Sequence, residues 1–224
     1  MTDHYAVIGN PIAFSKSPLI HGSFAAATGQ DIDYTKMEGP LGQFRETVDA
    51  FRARGGRGLN ITAPFKLDAY AYATEHSERA QLAGAANAMK FEGGRVIADN
   101  FDGVGLVRDV THNLGVALRG KRVLMLGAGG AARGALLPFL AEAPALLVIA
   151  NRTEEKAHAL AAIGADQGRV EAASYAALEG QTFDVVFNAT SASLRAELPP
   201  VPAQVFRGAS LAYCLLYTSP SPRD

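Results

Sequence analysis

One lysine and one aspartate in this sequence have the residue types and the local setting for proton transfer. Lys66 lies where a strand pattern gives way to a helix, and Asp102 lies at the start of another helix. The positive end of a helix dipole favours the neutral amine, whereas a nearby carboxylate favours the ammonium and holds it in place. Such a lysine can donate a proton to a carbonyl oxygen and remove it in the reverse reaction. We therefore predict an acid/base pair, the alternative being a solvated lysine and a helix-capping aspartate.

Polar side chains that could hold a substrate occur in two further segments. Ser15 and Ser17 follow the first predicted strand, and Asn60 and Thr62 end the third. The strand ends of an α/β sheet gather polar groups from distant parts of the sequence. Hydroxyls and amides suit a polyhydroxylated, carboxylated ring, which local hydrogen bonds must hold because the net charge is only -1. Ser17 before Pro18 is also typical of a helix cap, so the structural interpretation stays open.

A glycine-rich turn in the second half of the chain predicts a dinucleotide site. Gly127, Gly129 and Gly130 lie between a strand pattern at 121–126 and a helix that begins near residue 131. The first glycine permits a tight turn, and the second lets a pyrophosphate approach the backbone, where the helix start offers unpaired N–H groups. Many glycine turns are purely structural, but the strand–turn–helix context favours nucleotide binding.

The residues after the next strand indicate which dinucleotide binds. An enzyme that uses NAD places an aspartate or glutamate here to bind the ribose hydroxyls. This chain has Arg152 instead, within Asn151-Arg-Thr153, and Lys156 follows one helical turn later. The guanidinium of Arg152 can bind a 2′-phosphate, and Lys156 adds a second positive charge. The pattern predicts NADP, the alternative being a solvated arginine at a helix start.

A third segment of the second half could also contact the cofactor. Asn188 and Thr190 follow a strand pattern at 183–187, and the carboxyl ends of sheet strands face the ligand crevice. Turn and capping chemistry uses the same residue types, so both interpretations stay open.

The periodicity of the sequence predicts two α/β domains. The first contains strands at 5–10, 33–38 and 58–63, helices at 18–28 and 41–54, a helical pair at 65–84, and a hairpin of strands at 87–91 and 95–99. The second contains helices at 102–114 and 131–141 and strands at 121–126, 146–150, 169–173, 183–188 and 209–213. Strand, glycine turn, helix and strand form the βαβ unit of a doubly wound, Rossmann-like sheet. We predict a substrate-binding, catalytic domain at 1–101, and a linking helix with the NADP-binding domain at 102–217.

The composition argues against several classes of function. Apolar residues make up 48% and charged residues 19%, as in soluble globular proteins, and no apolar stretch approaches the roughly 20 residues that cross a bilayer. Lys and Arg form no dense run, which argues against nucleic-acid binding. A single cysteine and histidines without metal-ligand spacing argue against a disulfide framework and a metal site. With no signal-peptide pattern at the N-terminus, we expect a cytoplasmic enzyme.

Six motifs together resemble those of the shikimate dehydrogenase family in order and approximate spacing. The similarity runs from about residue 4 to residue 213, and the motifs are Gly9-Asn-Pro-Ile-Ala-Phe-Ser-Lys-Ser-Pro18, Asn60-Ile-Thr-Ala-Pro-Phe-Lys66, Asp99-Asn-Phe-Asp-Gly103, Gly127-Ala-Gly-Gly-Ala131, Asn151-Arg-Thr153 and Asn188-Ala-Thr-Ser191. The resemblance implies a substrate domain and an NADP domain separated by a cleft. It also implies hydride transfer between NADP and the pair of 3-dehydroshikimate and shikimate, a step of chorismate and aromatic amino-acid biosynthesis.

The same resemblance implies a role for each matched residue. Ser15 and Ser17 would hold the substrate carboxylate, and Lys66 would be the acid/base. The rest of the substrate would be bound by Asn60, Thr62, Asn87, Asp102 and Tyr217. Glu78 would lie near the nicotinamide. The pyrophosphate would be bound by Gly127, Ala128, Gly129, Gly130 and Ala131, and the adenosine phosphate by Asn151, Arg152, Thr153 and Lys156.

The sequence departs from the family pattern at a few positions. Phe101 and Ala88 replace two usual threonines, and Cys214 stands where aspartate is usual. Residues 218–224 lack periodicity, and we interpret them as a non-native tail that replaces the family's returning helices, the alternative being an ordinary flexible terminus. A quinate/shikimate dehydrogenase and a non-catalytic NADP-binding fragment stay open as alternative functions, although the serine pair favours shikimate. We expect a monomer or a homodimer.

Overall fold

The computed structural model describes residues 2–190, 192 and 197–215, so Tyr217 and the predicted tail lie outside the described residues. The chain divides into two units, of which unit 1 ends at Phe101 and unit 2 begins at Asp102. Each unit is built on one β-sheet with helices packed against it. The predicted fold class, an α/β domain followed by a Rossmann-like domain, is confirmed.

Unit 1 is a mixed sheet with the strand order β2-β1-β3-β5-β6-β4. Its elements are β1 (Asp3–Gly9), α1 (Ser17–Thr28), β2 (Ile32–Glu38), α2 (Phe44–Ala53), β3 (Gly56–Ile61), α3 (Lys66–Tyr72), β4 (Glu75–His76), α4 (Glu78–Ala83), β5 (Ala88–Glu92) and β6 (Arg95–Asp99). Strand β5 runs antiparallel to both of its neighbours, whereas β1, β2 and β3 are parallel. The two-residue β4 divides the predicted helical pair and is too short for its periodicity to be visible in the sequence.

The core of unit 1 explains why α2 has its amphipathic pattern. Phe44, Val48 and Phe51 form one stripe of the helix and pack into a buried cluster with strand residues such as Ile8. A Cβ atom at Gly56 would lie only 2.2 Å from the Phe51 ring, so this position must be glycine for the ring to pack. The apolar stripe and the glycine together fix α2 against the sheet, as the sequence pattern predicts.

Unit 2 is an all-parallel sheet with the strand order β11-β10-β7-β8-β9. Its elements are α5 (Asp102–Arg108), a π-helical turn (Asp109–Asn113), β7 (Arg122–Leu126), α6 (Gly130–Ala141), β8 (Leu146–Ala150), α7 (Glu154–Gly164), β9 (Val170–Ala173), β10 (Val185–Asn188) and β11 (Leu211–Cys214). Short 3₁₀ turns at Ala176–Leu178 and Ala203–Phe206 complete it. The strand order reverses between β7 and β10, which is where doubly wound sheets bind ligands.

Both faces of the unit 2 sheet are covered by apolar side chains. Every residue of β8 is buried, as expected for a central strand of a parallel sheet. Helix α5 lies so close to α6 that a Cβ atom at Gly103 would be 2.1 Å from the carbonyl oxygen of Gly134. Within the described ranges, no helix has the length and apolar character that a membrane span requires.

Candidate active site

The candidate substrate site of unit 1 lies at the carboxyl ends of β1 and β3. The N–H of Thr62 donates to the carbonyl oxygen of Ile8 (2.9 Å), and the N–H of Asn10 donates to that of Ala63 (3.0 Å). The two chain segments are so close that a Cβ atom at Gly9 would lie 2.5 Å from Cγ2 of Thr62. The loop after β1 and the end of β3, which are distant in sequence, are therefore held side by side at one edge of the sheet.

Tyr34 lies between the two predicted segments. The hydroxyl of Ser15 donates to that of Ser17 (3.2 Å), and Ser17 lies near enough to Tyr34 to lower the pKa of its hydroxyl. Tyr34 donates to Oδ1 of Asn60 (2.6 Å). Ser17 is the first residue of α1 and Lys16 occupies the cap position, while the N–H of Ser17 donates to the hydroxyl of Ser15 (3.3 Å). The interpretation of Ser17 as a helix cap is therefore wrong.

Tyr34 is a site residue that the motifs did not reveal. Its ring stacks on that of His21, with centroids 4.3 Å apart and planes 5° from parallel. Burial raises the pKa of Tyr34, and the hydrogen bond from Ser17 opposes this only in part. Burial also lowers the pKa of His21. The strand pattern at 33–38 was visible in the sequence, but the link between Tyr34 and Asn60 depends on the pairing of three strands.

The structure also places Lys66 beside the hairpin of β5 and β6. Lys66 is the first residue of α3, and its carbonyl oxygen accepts the N–H of Ala86 (2.9 Å). The adjacent Asn87 accepts the N–H of Phe101 through Oδ1 (3.0 Å). Asp102 is the first residue of α5 and belongs to unit 2. The acid/base pairing of Lys66 with Asp102 stays a prediction, as does the role of Asn87.

The aromatic ring of Phe101 packs against an ion pair at the end of β6. The guanidinium of Arg79 lies 4.8 Å from the ring centroid and binds both carboxylate oxygens of Asp99 (3.1 and 2.6 Å). Burial raises the pKa of Asp99, but hydrogen bonds from Arg79, Ser77 and the N–H of Asn100, with the Arg79 charge, hold it below its usual value. Phe101 is 49% exposed, so this departure from the family pattern fits without displacing core side chains.

Ser77 connects the same ion pair to the start of α4. Its hydroxyl donates to Asp99 (2.5 Å) and accepts the N–H of Ala80 (3.1 Å), which caps the helix. Glu78 follows as the first residue of α4 and is exposed. Its predicted position near the nicotinamide stays a prediction.

The glycine turn of unit 2 has the backbone geometry that a pyrophosphate requires. Gly127 has a φ of 107°, and a Cβ atom there would lie 3.0 Å from the carbonyl oxygen of Ala189. A Cβ atom at Gly129, by contrast, would meet nothing within 4 Å. The cap residue Gly129 has no side chain, so among the described residues the N–H groups of the first turn of α6 are available to an anion. The turn of Gly127, Ala128, Gly129, Gly130 and Ala131 therefore fits a dinucleotide phosphate.

Two cations lie exposed after β8, where the 2′-phosphate of NADP would be expected. Neither Arg152 nor Lys156 forms a salt bridge within the part of the chain that the structure describes. Nδ2 of Asn151 donates to the carbonyl oxygen of Thr153 (2.8 Å), which shapes the turn that leads into α7. Burial raises the pKa of Tyr175, while the charge of Arg152 and a hydrogen bond with its backbone oppose this shift. Tyr175, another residue that the motifs missed, thus lies against Arg152.

Asn188 and Thr190 are hydrogen-bonded to each other. Oδ1 of Asn188 accepts both the N–H (3.0 Å) and the hydroxyl (2.7 Å) of Thr190. The resulting turn packs against Gly127. Turn chemistry therefore accounts for both residue types, and their contact with the cofactor stays a prediction. Ser191, the last residue of this motif, lies outside the described residues.

No group of three or more His, Cys, Asp or Glu residues converges in the described ranges to form a metal site. The site chemistry of unit 1 consists of hydroxyls, amides and one lysine, and that of unit 2 consists of main-chain N–H groups and two cations. The first set suits a small polyhydroxylated anion, and the second suits a phosphorylated dinucleotide.

Comparisons with known proteins agree with this division. Residues 7–89 match the family model of the shikimate dehydrogenase substrate binding domain, and residues 109–196 match that of shikimate / quinate 5-dehydrogenase. The NADP(+)-dependent shikimate dehydrogenase of Chromobacterium violaceum is 57% identical over 98% of this chain and 80% of its own length. That of Nitrosospira multiformis is 56% identical over 97% of this chain and 79% of its own length.

Solved structures give the same result. The Ael1 enzyme from Pseudomonas putida superimposes with a TM-score of 0.88 and is 59% identical, covering 96% of this chain and 79% of its own. Shikimate 5-dehydrogenase from Thermus thermophilus, solved in complex with NADP(H) and shikimate, has a TM-score of 0.82 and 28% identity over 97% of this chain and 80% of its own. The chain thus spans about four fifths of the length of these relatives.

Proposed function

The chain belongs to the family of NADP-dependent shikimate dehydrogenases, and we propose that unit 1 holds the substrate while unit 2 holds NADP. It is an NADP-dependent oxidoreductase that interconverts 3-dehydroshikimate and shikimate by hydride transfer. The finer assignment of roles to residues is our proposal. The observation that carries it is the convergence of Ser15, Ser17, Tyr34 and Asn60 at the strand ends of unit 1, where Ser15 is hydrogen-bonded to Ser17 and Tyr34 to Asn60.

The serine pair is proposed to bind the substrate carboxylate. Each serine has one hydroxyl proton, and Ser15 donates its own to the Ser17 oxygen in the described structure. A carboxylate accepts such protons more strongly than a neutral hydroxyl does. Both serine protons can turn to the carboxylate without any movement of the backbone, because hydroxyls rotate freely about the C–O bond. Asn60, Thr62 and Asn87 are proposed to bind the ring hydroxyls.

Lys66 is proposed to move the proton that accompanies hydride transfer. NADPH, when bound, supplies the hydride that reduces the carbonyl carbon. The ammonium of Lys66 donates a proton to the carbonyl oxygen, which would otherwise carry the developing negative charge. In the reverse reaction the neutral amine removes the proton from the hydroxyl. The Asp102 carboxylate is proposed to orient the ammonium and to favour its charged form.

Unit 2 is proposed to bind the two ends of NADP with different groups. The N–H groups at the start of α6 would bind the pyrophosphate, which can approach closely because Gly129 has no side chain. Arg152, with Lys156, would bind the 2′-phosphate through charge-assisted hydrogen bonds. Asn151 and Thr153 would support the adenosine end, Asn188 and Thr190 would line the turn beside Gly127, and Glu78 of unit 1 would meet the nicotinamide.

The test is turnover by the full chain with matched substrates and cofactors. NADPH consumption with 3-dehydroshikimate, and NADP reduction with shikimate, are followed by the near-ultraviolet absorbance of NADPH. We expect both reactions, a weaker one with quinate, and a marked preference for NADP over NAD. Turnover that prefers quinate would support the alternative suggested by the second family model. Cofactor binding without any turnover would support the non-catalytic alternative.

Location and assembly belong to the same proposal. We place the enzyme in the cytoplasm, where NADPH drives reductive biosynthesis, and we expect a monomer or a homodimer. Size-exclusion chromatography with light scattering on the purified chain distinguishes these two states, and a larger assembly would contradict the expectation.

A further inference from the structure

We propose that Tyr34 is a positioning residue that turns the side-chain amide of Asn60 so that its nitrogen, and not its oxygen, faces a ring hydroxyl of the substrate. The inference rests on the proposed role of Asn60 in substrate binding and adds a specificity-determining residue to it. Tyr34 lies in β2, outside each of the six motifs, and reaches Asn60 in β3 across the intervening strand β1.

The orientation of the Asn60 amide follows from the protons available around Tyr34. A phenol has one proton to donate, whereas an asparagine side chain has an accepting oxygen and two donating N–H groups. In the structure this proton is donated to Oδ1 of Asn60, 2.6 Å away. The opposite amide orientation would direct N–H groups at the phenol oxygen, and the phenol proton would lose this acceptor.

The amide nitrogen of Asn60 is then the group left for a ligand. Among the described residues, none accepts a hydrogen bond from Nδ2 of Asn60. The side chain of Asn60 is half-buried. A half-buried N–H group gains most from an acceptor with a fixed position, because an unpaired one loses its hydration without compensation. A ring hydroxyl oxygen of the substrate is an acceptor of this kind.

Tyr34 is itself held in place by ring stacking. The His21 ring stacks on one face of the phenol at 4.3 Å, which limits rotation of the side chain. Burial raises the pKa of Tyr34, so its hydroxyl keeps the proton that Asn60 requires. When Ser17 donates a hydrogen bond to a substrate carboxylate, the phenol of Tyr34 can still donate one to Asn60. Tyr34 therefore supports the hydroxyl-binding end of the site whether or not the carboxylate-binding end is occupied.

The first test is Tyr34→Phe in the full chain, which removes one oxygen and retains the ring that stacks on His21. We expect the KM for shikimate to rise about tenfold, because a hydrogen bond that fixes the Asn60 amide is lost. The kcat should change by less than about threefold, and NADPH affinity should not change, since neither the proton donor nor the cofactor site is altered. An unchanged KM would overturn the proposal.

The matched control is Tyr72→Phe in the same unit. The hydroxyl of Tyr72 also makes two hydrogen bonds, donating to Asp49 (2.5 Å) and accepting from Arg52 (2.7 Å), but it lies outside the candidate site. This variant should lower the melting temperature and leave the KM for shikimate unchanged. An equal rise of KM in both variants would show that Tyr34 acts only through general stability, and this result would also overturn the proposal.

A double variant tests whether Tyr34 acts through Asn60. Once Asn60→Ala has removed the amide, Tyr34→Phe should add less than about twofold to the KM, because the group it positions is absent. Independent, multiplied losses would contradict the inference. If Asn60→Ala alone leaves the KM unchanged, the proposed substrate role of Asn60 is wrong. If it raises the KM and Tyr34→Phe does not, only the inference about Tyr34 is wrong.

Asn60→Asp gives a second measurement that does not depend on the Tyr34 variant. The carboxylate can still accept the proton of Tyr34 but has no N–H to offer, so the KM for shikimate should rise at least as much as in Asn60→Ala. Wild-type KM in Asn60→Asp would show that the amide nitrogen is not the contact, and the proposal would fail.

Discussion

The two candidate sites are built from different parts of the polypeptide. In unit 1, the candidate site consists of side chains that bind one another, Ser15 with Ser17 and Tyr34 with Asn60. In unit 2, the candidate pyrophosphate site consists of main-chain N–H groups at the start of α6, made accessible by Gly129. Hydroxyls arranged around a ring must be distinguished by position, which requires directed side chains, whereas a pyrophosphate can be bound by any array of backbone donors.

This difference predicts that the two sites fail in different ways. A substitution of Lys66 or of a proposed substrate-binding residue in unit 1 should change kcat or the KM for shikimate and leave the cofactor affinity unchanged. A substitution at the glycine turn of unit 2 should change the cofactor affinity first. Variants at either site that change both the KM for shikimate and the cofactor affinity would show that the two units do not bind substrate and cofactor separately.

The largest effect is expected for Lys66→Met, which removes the proposed proton donor and retains the apolar length of the side chain. We expect kcat to fall about 10²- to 10⁴-fold, the usual contribution of a general acid. The dissociation constant of NADPH, measured by fluorescence titration, should change by less than about twofold, because Lys66 is not part of the proposed cofactor site. Lys90→Met is the control, because Lys90 is exposed and paired with Glu92. Unchanged turnover in Lys66→Met would exclude the acid/base role.

Gly129→Ala tests the main-chain site in a way that few glycines permit. The added methyl group would meet no protein atom within 4 Å, and the φ of -84° suits alanine, so the fold should be unaffected. A bound pyrophosphate would meet the methyl group, and we expect NADPH affinity to fall about 30-fold or more. Gly22→Ala in α1, which also adds a methyl group to open space, is the control. Normal NADPH binding by Gly129→Ala would show that the pyrophosphate does not bind at this turn.

Arg152→Ala should have a smaller and more selective effect. Arg152 is exposed, so we expect a loss of about tenfold in NADPH affinity, toward the lower end for a charge-assisted phosphate contact. NADH lacks the 2′-phosphate, and its affinity should stay within about twofold. Arg169→Ala, which removes another exposed arginine of unit 2, provides the control. Equal losses for the two cofactors would refute the 2′-phosphate assignment.

The same contrast explains which features could be predicted from the sequence. The glycine turn and the apolar stripe of α2 are local patterns, and the structure has both near the predicted positions. Tyr34 was missed because its partner in the site is 26 residues away in sequence, and only the order β2-β1-β3 brings the two together. β4 was missed because two residues that pair with β6 carry no periodicity of their own. Main-chain sites are therefore visible in local sequence, and side-chain networks depend on strand order.

The smallest predicted effect concerns the contribution of the Asp99 carboxylate, with its partners Arg79 and Ser77, to the stability of unit 1. The pKa of Asp99 is lowered because hydrogen bonds from Arg79, Ser77 and the N–H of Asn100, with the Arg79 charge, outweigh the effect of its burial. A lowered pKa in the folded state stabilises the fold above the unfolded-state pKa of about 4, and this stabilisation is lost as the pH falls. Asp99→Asn should therefore reduce the free energy of unfolding by about 1 kcal/mol at neutral pH, since Arg79 is half-exposed. Urea denaturation should show that this difference becomes smaller below about pH 4. NADPH affinity should not change. Asp31→Asn, at an exposed aspartate, is the control. If the difference in free energy of unfolding between the wild type and Asp99→Asn stays constant with pH, the packing of the Asp99 side chain, and not its charge, stabilises unit 1.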